Sequence, residues 1–399
     1  MKILIVTTRF GEGLGGKENY LVSLSREFLA MGHEVRVVAR SFDAFPEFSD
    51  ARRFTAPGCD PPVLKAVGPE LHRLAPRGSV SLLGPLTYKL HFYAWGFGVA
   101  IRAFHHIWGA SLDRHVRWSD IVHYDGTGLE LLGFSALRSC RSWGRRLVIC
   151  PHAHPGSWGD HVRDLDLYRL ADGLITKTEY EKSFFVSREM DPNRIHVIGN
   201  GPHLPESGDP DDLARRLEIR FPVVLFVGRR SQSKGYPTLV EAMHRVWIDQ
   251  PRVCLLVLSP LDDLASTQDQ NPLDSRIISL PGASESDKDA AYRLADVLCL
   301  PSRAEAFGMA LIEAWRHGKP VIAGRIPALE EVVTDGVDGW LVPQEAGALA
   351  HKIAMVLEDP EAARRMGRAG QSKVREKYDW GSIAARTLAV YVGQSEPVL

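Results

Sequence analysis

The chain has little that would suit it to an oxidising compartment, a bilayer or a polyanion. Its cysteines, Cys59, Cys140, Cys150, Cys254 and Cys299, are odd in number and never form a C-x-x-C pair. That excludes a disulfide framework and a cysteine zinc site, and predicts a reducing, cytoplasmic setting. No apolar run approaches the roughly 18 residues that a spanning helix needs. The start, MKILIVTT, turns polar too soon for a signal peptide and reads as a buried strand. A formal net charge of −1 provides no overall positive field for nucleic acid. Internal repeats and low-complexity tracts are absent too.

What is present is an alternation of β-branched apolar runs with helical patterns, twice over in 399 residues. The first set is 3–6, 35–39, 121–123, 147–150, 173–176 and 196–198, and the second is 223–227, 253–258, 277–280, 297–300, 320–323 and 339–342. Runs that are continuous rather than alternating suit strands covered on both faces, hence an α/β chain of two doubly wound parallel sheets. Asn200 to Pro210, NGPHLPESGDP, lacks periodicity and reads as the hinge. The expected domains are therefore 1–200 and 201–375, with a terminal helical stretch, 376–399, crossing back to the first.

Two loops in the second half carry the densest chemistry. After the run ending at Val227, Gly228 permits a tight exit, Arg229 offers a planar fork for phosphate oxygens, and Lys234 adds a mobile cation. After the run ending at Leu300, Glu305 precedes a helix expected to open at Phe307, with Gly308 and Met309 in its first turn and Glu313 in its second. A helix start of this kind leaves uncovered N–H groups, which form an anion socket. Gly318 is expected as its αL cap, with the next strand beginning at Pro320.

Gly228-Arg229, Lys234-Gly235, Pro301-Ser302 and the E-x7-E of Glu305 and Glu313 resemble the retaining glycosyltransferases of family 4. Further matches are Gly15-Gly16-Lys17-Glu18, Pro151-His152, Ala171-Asp172 with Thr178-Glu179, Val197 to Gly201, Asp335 to Val342, and Tyr378-Asp-Trp380. The resemblance covers nearly the whole chain. It implies a GT-B fold, with two Rossmann-like domains facing across a cleft, the first binding acceptor and the second the nucleotide-sugar donor. It further implies that Arg229 and Lys234, aided by the amides of Phe307, Gly308 and Met309, neutralise the departing nucleoside diphosphate. Glu313 would contact the ribose, Glu305 the donor sugar, and His152 both sugar and acceptor. Gly15, Gly16 and Gly228 would let backbone approach the substrates. Retention requires neither a dedicated base nor a metal, so no cofactor is expected. The acceptor would be a glycan, a lipid-linked glycan or a small molecule, in cell-envelope or exopolysaccharide assembly. Ala306 stands where the family usually has glycine, which fits if its backbone is in an ordinary helical well.

Other readings carry less. Gly11, Gly13 and Gly16 satisfy G-x-G-x-x-G, but four residues separate the strand from the first glycine and Arg40, not an acid, closes the second strand. The D-x-D triplets at Asp164/Asp166, Asp209/Asp211 and Asp287/Asp289 fall in helices or the hinge and read as solvated surface rather than metal ligands. His152, His154 and His161 with Asp160 and Asp164 share one loop without an evident outer shell, against a metal site. Leu86, Leu90, Tyr93, Phe97, Ile101, Phe104 and Trp108 make an apolar stripe amid basic residues, best read as a core helix. Its rival is peripheral contact of 86–108 with anionic lipid on the inner face of the cytoplasmic membrane. A GT-B nucleotide-sugar epimerase and a non-catalytic nucleotide-sugar-binding protein are the alternative functions. The paired motifs disfavour the epimerase.

Overall fold

The computed structural model describes residues 1–10, 16–40, 69–74, 96–202, 208–260 and 274–394. The chain forms two compact units, Met1–Ile198 with Trp380–Leu399, and Gly199–Asp379.

In the first unit β1 (Lys2–Thr7), β2 (Glu34–Arg40), β3 (Glu70–Leu74), β4 (Ile121–Asp125), β5 (Arg146–Cys150), β6 (Gly173–Thr176) and β7 (Ile195–Val197) form a parallel sheet in the order β3-β2-β1-β4-β5-β6-β7. Helices α1 (Gly16–Ala30), α2 (Phe97–Trp118), α3 (Leu132–Trp143), α4 (Val162–Leu170) and α5 (Glu179–Ser187) accompany it. The continuous apolar run in β1 follows from cover on both faces. Leu4 and Val6 join one core with Phe104 and Trp108, while Ile3 and Ile5 join another with Tyr20 and Phe28. Each such side chain removed from water stabilises the fold by about 1.5–3 kcal/mol.

The second unit repeats the plan with β8 (Val223–Val227), β9 (Cys254–Ser259), β10 (Ile277–Pro281), β11 (Val297–Leu300), β12 (Val321–Gly324) and β13 (Gly339–Val342), in the order β10-β9-β8-β11-β12-β13. Its helices are α6 (Pro210–Arg216), α7 (Tyr236–Asp249), α8 (Glu285–Leu294), α9 (Met309–Arg316), α10 (Pro327–Val332), α11 (Ala346–Glu358) and α12 (Pro360–Lys377). Again Val223 and Leu225 serve one core, and Val224 and Phe226 the opposite one. A last helix, α13 (Trp380–Tyr391), belongs to the first unit and packs on α1 and β5.

Several expectations change. β3 has the sequence ELHRL with only Leu74 buried, so an edge strand without an apolar run escapes periodicity. The helix of the aromatic stripe runs on to Trp118, and Phe104 and Trp108 are each 1 % exposed in the core. Those two rings are therefore closed to lipid, while Phe97 and Ile101 are partly buried against the same core; Leu86, Leu90 and Tyr93 lie outside the described residues. The D-x-D acids are not all solvated surface. Asp164 is buried and accepts the Leu129 N–H at 2.9 Å, and buried Asp289 accepts the Gly208 N–H at 3.1 Å. Both satisfy backbone donors that would otherwise be orphaned.

Candidate active site

In the second unit, the loops after β8 and β11 are locked together by backbone. Gly235 has φ +71°, and a Cβ there would lie 2.1 Å from the Pro301 carbonyl oxygen, so only glycine allows the approach. The Arg303 N–H donates to the Ser233 carbonyl at 2.8 Å. This contact brings Lys234 Nζ to 2.6 Å from Glu305 Oε1, which also accepts from Ser302 Oγ at 2.9 Å. Glu305 is 8 % exposed, and these partners offset its removal from water. Arg229, on the same loop, is exposed.

The expected helix begins slightly later, as α9 at Met309. Gly308 is its N-cap, with φ +86° and no side-chain capping bond, and a Cβ there would strike Leu329 at 2.8 Å. The first-turn amides of α9 thus lack a side-chain cap, as an anion socket requires. Phe307 is buried against Tyr378, ring centroids 5.2 Å apart, so it can serve a ligand through backbone only. Ala306 is not among the positive-φ residues, which explains how it replaces glycine. Glu313 is 3 % exposed; Tyr292 donates its hydroxyl to Oε2 at 2.7 Å and Lys288 its ammonium to Oε1 at 3.4 Å. Burial, with Glu313 beside it, pushes the Tyr292 phenol well up, keeping it a donor. Burial opposes the Lys288 charge, but Glu313 and Glu285 hold it above its ordinary value.

The first unit builds a different cluster where its strand order reverses, between β1 and β4. Asp125 ends β4, is fully buried, and places Oδ2 2.8 Å from His152 Nε2 and Oδ1 3.5 Å from Lys17 Nζ. His152 has φ +50°, a left-handed backbone that a non-glycine residue keeps only when its surroundings hold it. Two holds are visible. The Tyr20 ring meets the imidazole edge-on at 5.3 Å, and the next N–H, of Ala153, donates to buried Glu181 at 2.8 Å. Glu181 also accepts the Lys177 N–H at 2.7 Å, and burial pushes its carboxyl up to about 7. Beneath Tyr20 lies the Lys177 ammonium, 3.4 Å from the ring centroid. Burial would raise Asp125, but His152, His123 and Lys17 hold it well below the carboxylate range. Burial lowers His152 to about 4, against the pull of Asp125.

Arg229, Lys234, Glu305 and Gly228 therefore share one loop pair, near the α9 start that supplies Gly308 and Met309, while Glu313 is tied to α8. His152 stands in the first unit with Gly16, the first residue of α1; Gly15 lies outside the described residues.

Residues 14–204 match the model of Glycosyltransferase Family 4, and residues 210–373 that of Glycosyl transferases group 1. The chain belongs to the group 1, family 4 glycosyltransferases. Among relatives of this glycosyltransferase, the D-inositol 3-phosphate glycosyltransferase of Segniliparus rotundus is 32 % identical over 244 residues, 58 % of this chain and 54 % of that one. The match thus spans about half of that relative's length. The enzyme of the same name from Xylanimonas cellulosilytica is 27 % identical over 94 % of this chain and 91 % of its own. The crystal structure of Anabaena Alr3699/HepE in complex with UDP and glucose superposes with a TM-score of 0.73 at 20 % identity, covering 99 % of this chain and 100 % of that one. The fold of the glycosyltransferase is GT-B.

Lys17, Tyr20, Asp125, Lys177, Glu181, Lys288 and Tyr292 had no assigned role from sequence. A D-G pair two residues after the 121–123 run was the one local hint of Asp125. His123, Asp125 and Cys150 offer ligand atoms within 4.8 Å of one another. Yet the oxygens of Asp125 face His152 and Lys17, and burial pushes the Cys150 thiol up to about 12, away from the thiolate a metal needs. Two of the other residues weighed as ligands are employed elsewhere. His161 caps α4, and Asp160 accepts the Gly156 N–H at 2.6 Å.

Proposed function

We propose that this glycosyltransferase works with retention, moving a sugar from a nucleoside diphosphate to an acceptor hydroxyl without a metal, in the assembly of a cell-envelope glycan or exopolysaccharide. The observation that carries the reading is the Gly235–Pro301 contact, which joins the loop of Arg229 and Lys234 to the one leading into α9. In the reaction the bond from sugar C1 to the phosphate oxygen breaks and its electron pair stays on the diphosphate. Arg229, Lys234 and the first amides of α9 receive that charge as it develops. The acceptor oxygen bonds to C1 from the same face, and its proton passes to the departing phosphate oxygen. Glu305 orients the donor sugar and tethers Lys234 meanwhile. Glu313, held by Tyr292 and Lys288, accepts from the ribose, and His152 meets sugar or acceptor in the first unit.

The cysteines among the described residues are free, which supports a reducing cytoplasm as the place of action. No helix among the described residues is long and apolar enough to cross a membrane. A thermal-shift panel of UDP, GDP, ADP and their sugars identifies the donor through the stabilisation that occupancy brings. NMR of the product made with that donor then tests the mechanism, starting with an inositol phosphate, the acceptor type named in the relatives, as acceptor. A product of unchanged anomeric configuration, formed equally in EDTA, is expected. An inverted product, or strict dependence on a divalent cation, overturns the reading.

A further inference from the structure

Asp125 has no part in the reaction as written, yet it is the acid around which the first unit's cluster is built. The charged and titratable groups facing it come from three elements: His123 from β4 itself at 3.9 Å, Lys17 from α1 at 3.5 Å, and His152 from the end of β5 at 2.8 Å. Cys150 Sγ lies 3.4 Å from His152 Nε2, and Lys177 lies behind Tyr20. Tyr391 closes the back, its hydroxyl 2.7 Å from His123 Nδ1.

An ionised carboxylate can only accept, so the hydrogen between Oδ2 and Nε2 belongs to the imidazole. A neutral ring with Nε2 protonated carries its lone pair on Nδ1. Among the described residues the hydrogen bonds of the ring are made at Nε2, and these with the Tyr20 edge contact hold the ring plane. We propose that Asp125 is a positioning residue that locks His152 in the Nε2–H tautomer, so that Nδ1 is presented as a hydrogen-bond acceptor to a hydroxyl of the donor sugar or the acceptor. The proposal rests on the transferase reading only for what Nδ1 meets; the tautomer does not depend on it. Lys17 and Lys177 act in the same sense, since both oppose a second proton on the ring.

Long-range proton–nitrogen NMR of the 15N-labelled full chain, with His152→Gln for assignment, reads the tautomer directly. The expected spectrum between about pH 6 and 9 shows a protonated Nε2 and an unprotonated Nδ1. D125N, whose amide can donate to Nε2, should move the proton to Nδ1. It should also lower kcat by roughly ten- to hundredfold with donor KM nearly unchanged, the effect of reversing the direction of one hydrogen bond to the reacting hydroxyl. If D125N does not fold, the unaltered protein decides, because its spectrum at pH 7 must show the proton on Nε2 and none on Nδ1. An Nδ1–H tautomer, an imidazolium at pH 7, or D125N keeping both tautomer and kcat overturns the proposal. Absence of sugar transfer alongside the Nε2–H tautomer would instead overturn the proposed function and leave this inference standing.

Discussion

The two units share one plan, yet they handle charge in opposite ways. In the second, each buried carboxylate of the candidate site is paired with a lysine: Glu305 with Lys234 at 2.6 Å across two loops, and Glu313 of α9 with Lys288 of α8 at 3.4 Å. In the first, a fully buried carboxylate at a strand end gathers an imidazole and an ammonium around itself, and the packing around His152 holds its left-handed backbone in place. Loop pairs suit a ligand whose charge arrives and departs, because mobile cations can follow it. A buried, pre-set cluster suits a neutral hydroxyl, where direction matters more than charge.

The largest effect that would sharpen this contrast is expected from Lys234→Ala. It should lower turnover by roughly 10²- to 10³-fold, the usual consequence of losing one stabiliser of a developing oxyanion. Unchanged steady-state kinetics would remove Lys234 from leaving-group departure and break the distinction between the units. Next comes Gly235→Ala, which must place a Cβ 2.1 Å from the Pro301 carbonyl oxygen at φ +71°. The strained backbone alone costs about 1–3 kcal/mol. A lowered Tm together with a raised donor KM is expected, whereas a neutral result in both would mean the loops are not coupled.

Tyr292→Phe is a milder probe of the same unit. It deletes the hydroxyl that donates 2.7 Å to Glu313, at a cost of about 1–3 kcal/mol for a buried acceptor left short of a partner. Denaturant titration and donor KM should both register it, and a change in neither would show that Lys288 alone orients Glu313.

The smallest effect concerns the first unit and pH. Burial first, then His72, Arg114 and Arg36, lower His115 from 6.5 to about 4. The unfolded chain therefore binds the extra proton more readily than the folded one. Stability from this group is complete above about pH 6.5 and falls as pH drops toward 4. His115→Gln should flatten part of that fall in Tm, and an unaltered slope would assign it to other groups.

The legible part of the molecule was the part governed by local rules. Both sheets could be read because parallel strands, covered on both faces, are written as unbroken apolar runs, and β3 escaped because an edge strand does not need one. The loop bearing Arg229 and Lys234 was visible as a motif, since glycines and cations next to each other in sequence act together in space. The partners of Glu313 were not, because Lys288 and Tyr292 reach it from α8, 25 and 21 residues away along the chain. Asp125 and His152, separated by 27 residues, meet only because β4 and β5 pair in register from Ile121 with Arg146 to Asp125 with Cys150. The second unit's helix was placed two residues early because Gly308 could be read as helical, whereas its left-handed backbone makes it the stop before Met309.

Helix α13 has a bearing on how the protein comes into being. It delivers Ile383, Ala384, Val390 and Tyr391 to a core whose other members precede residue 199. During synthesis the second unit, lying wholly between these segments, is complete while the first still presents an uncovered apolar face. A ribosome stalled, or a protease cutting, just before Trp380 would therefore leave one finished domain beside an unfinished neighbour whose His123 lacks Tyr391. The core of the first unit closes only once α13 has been made.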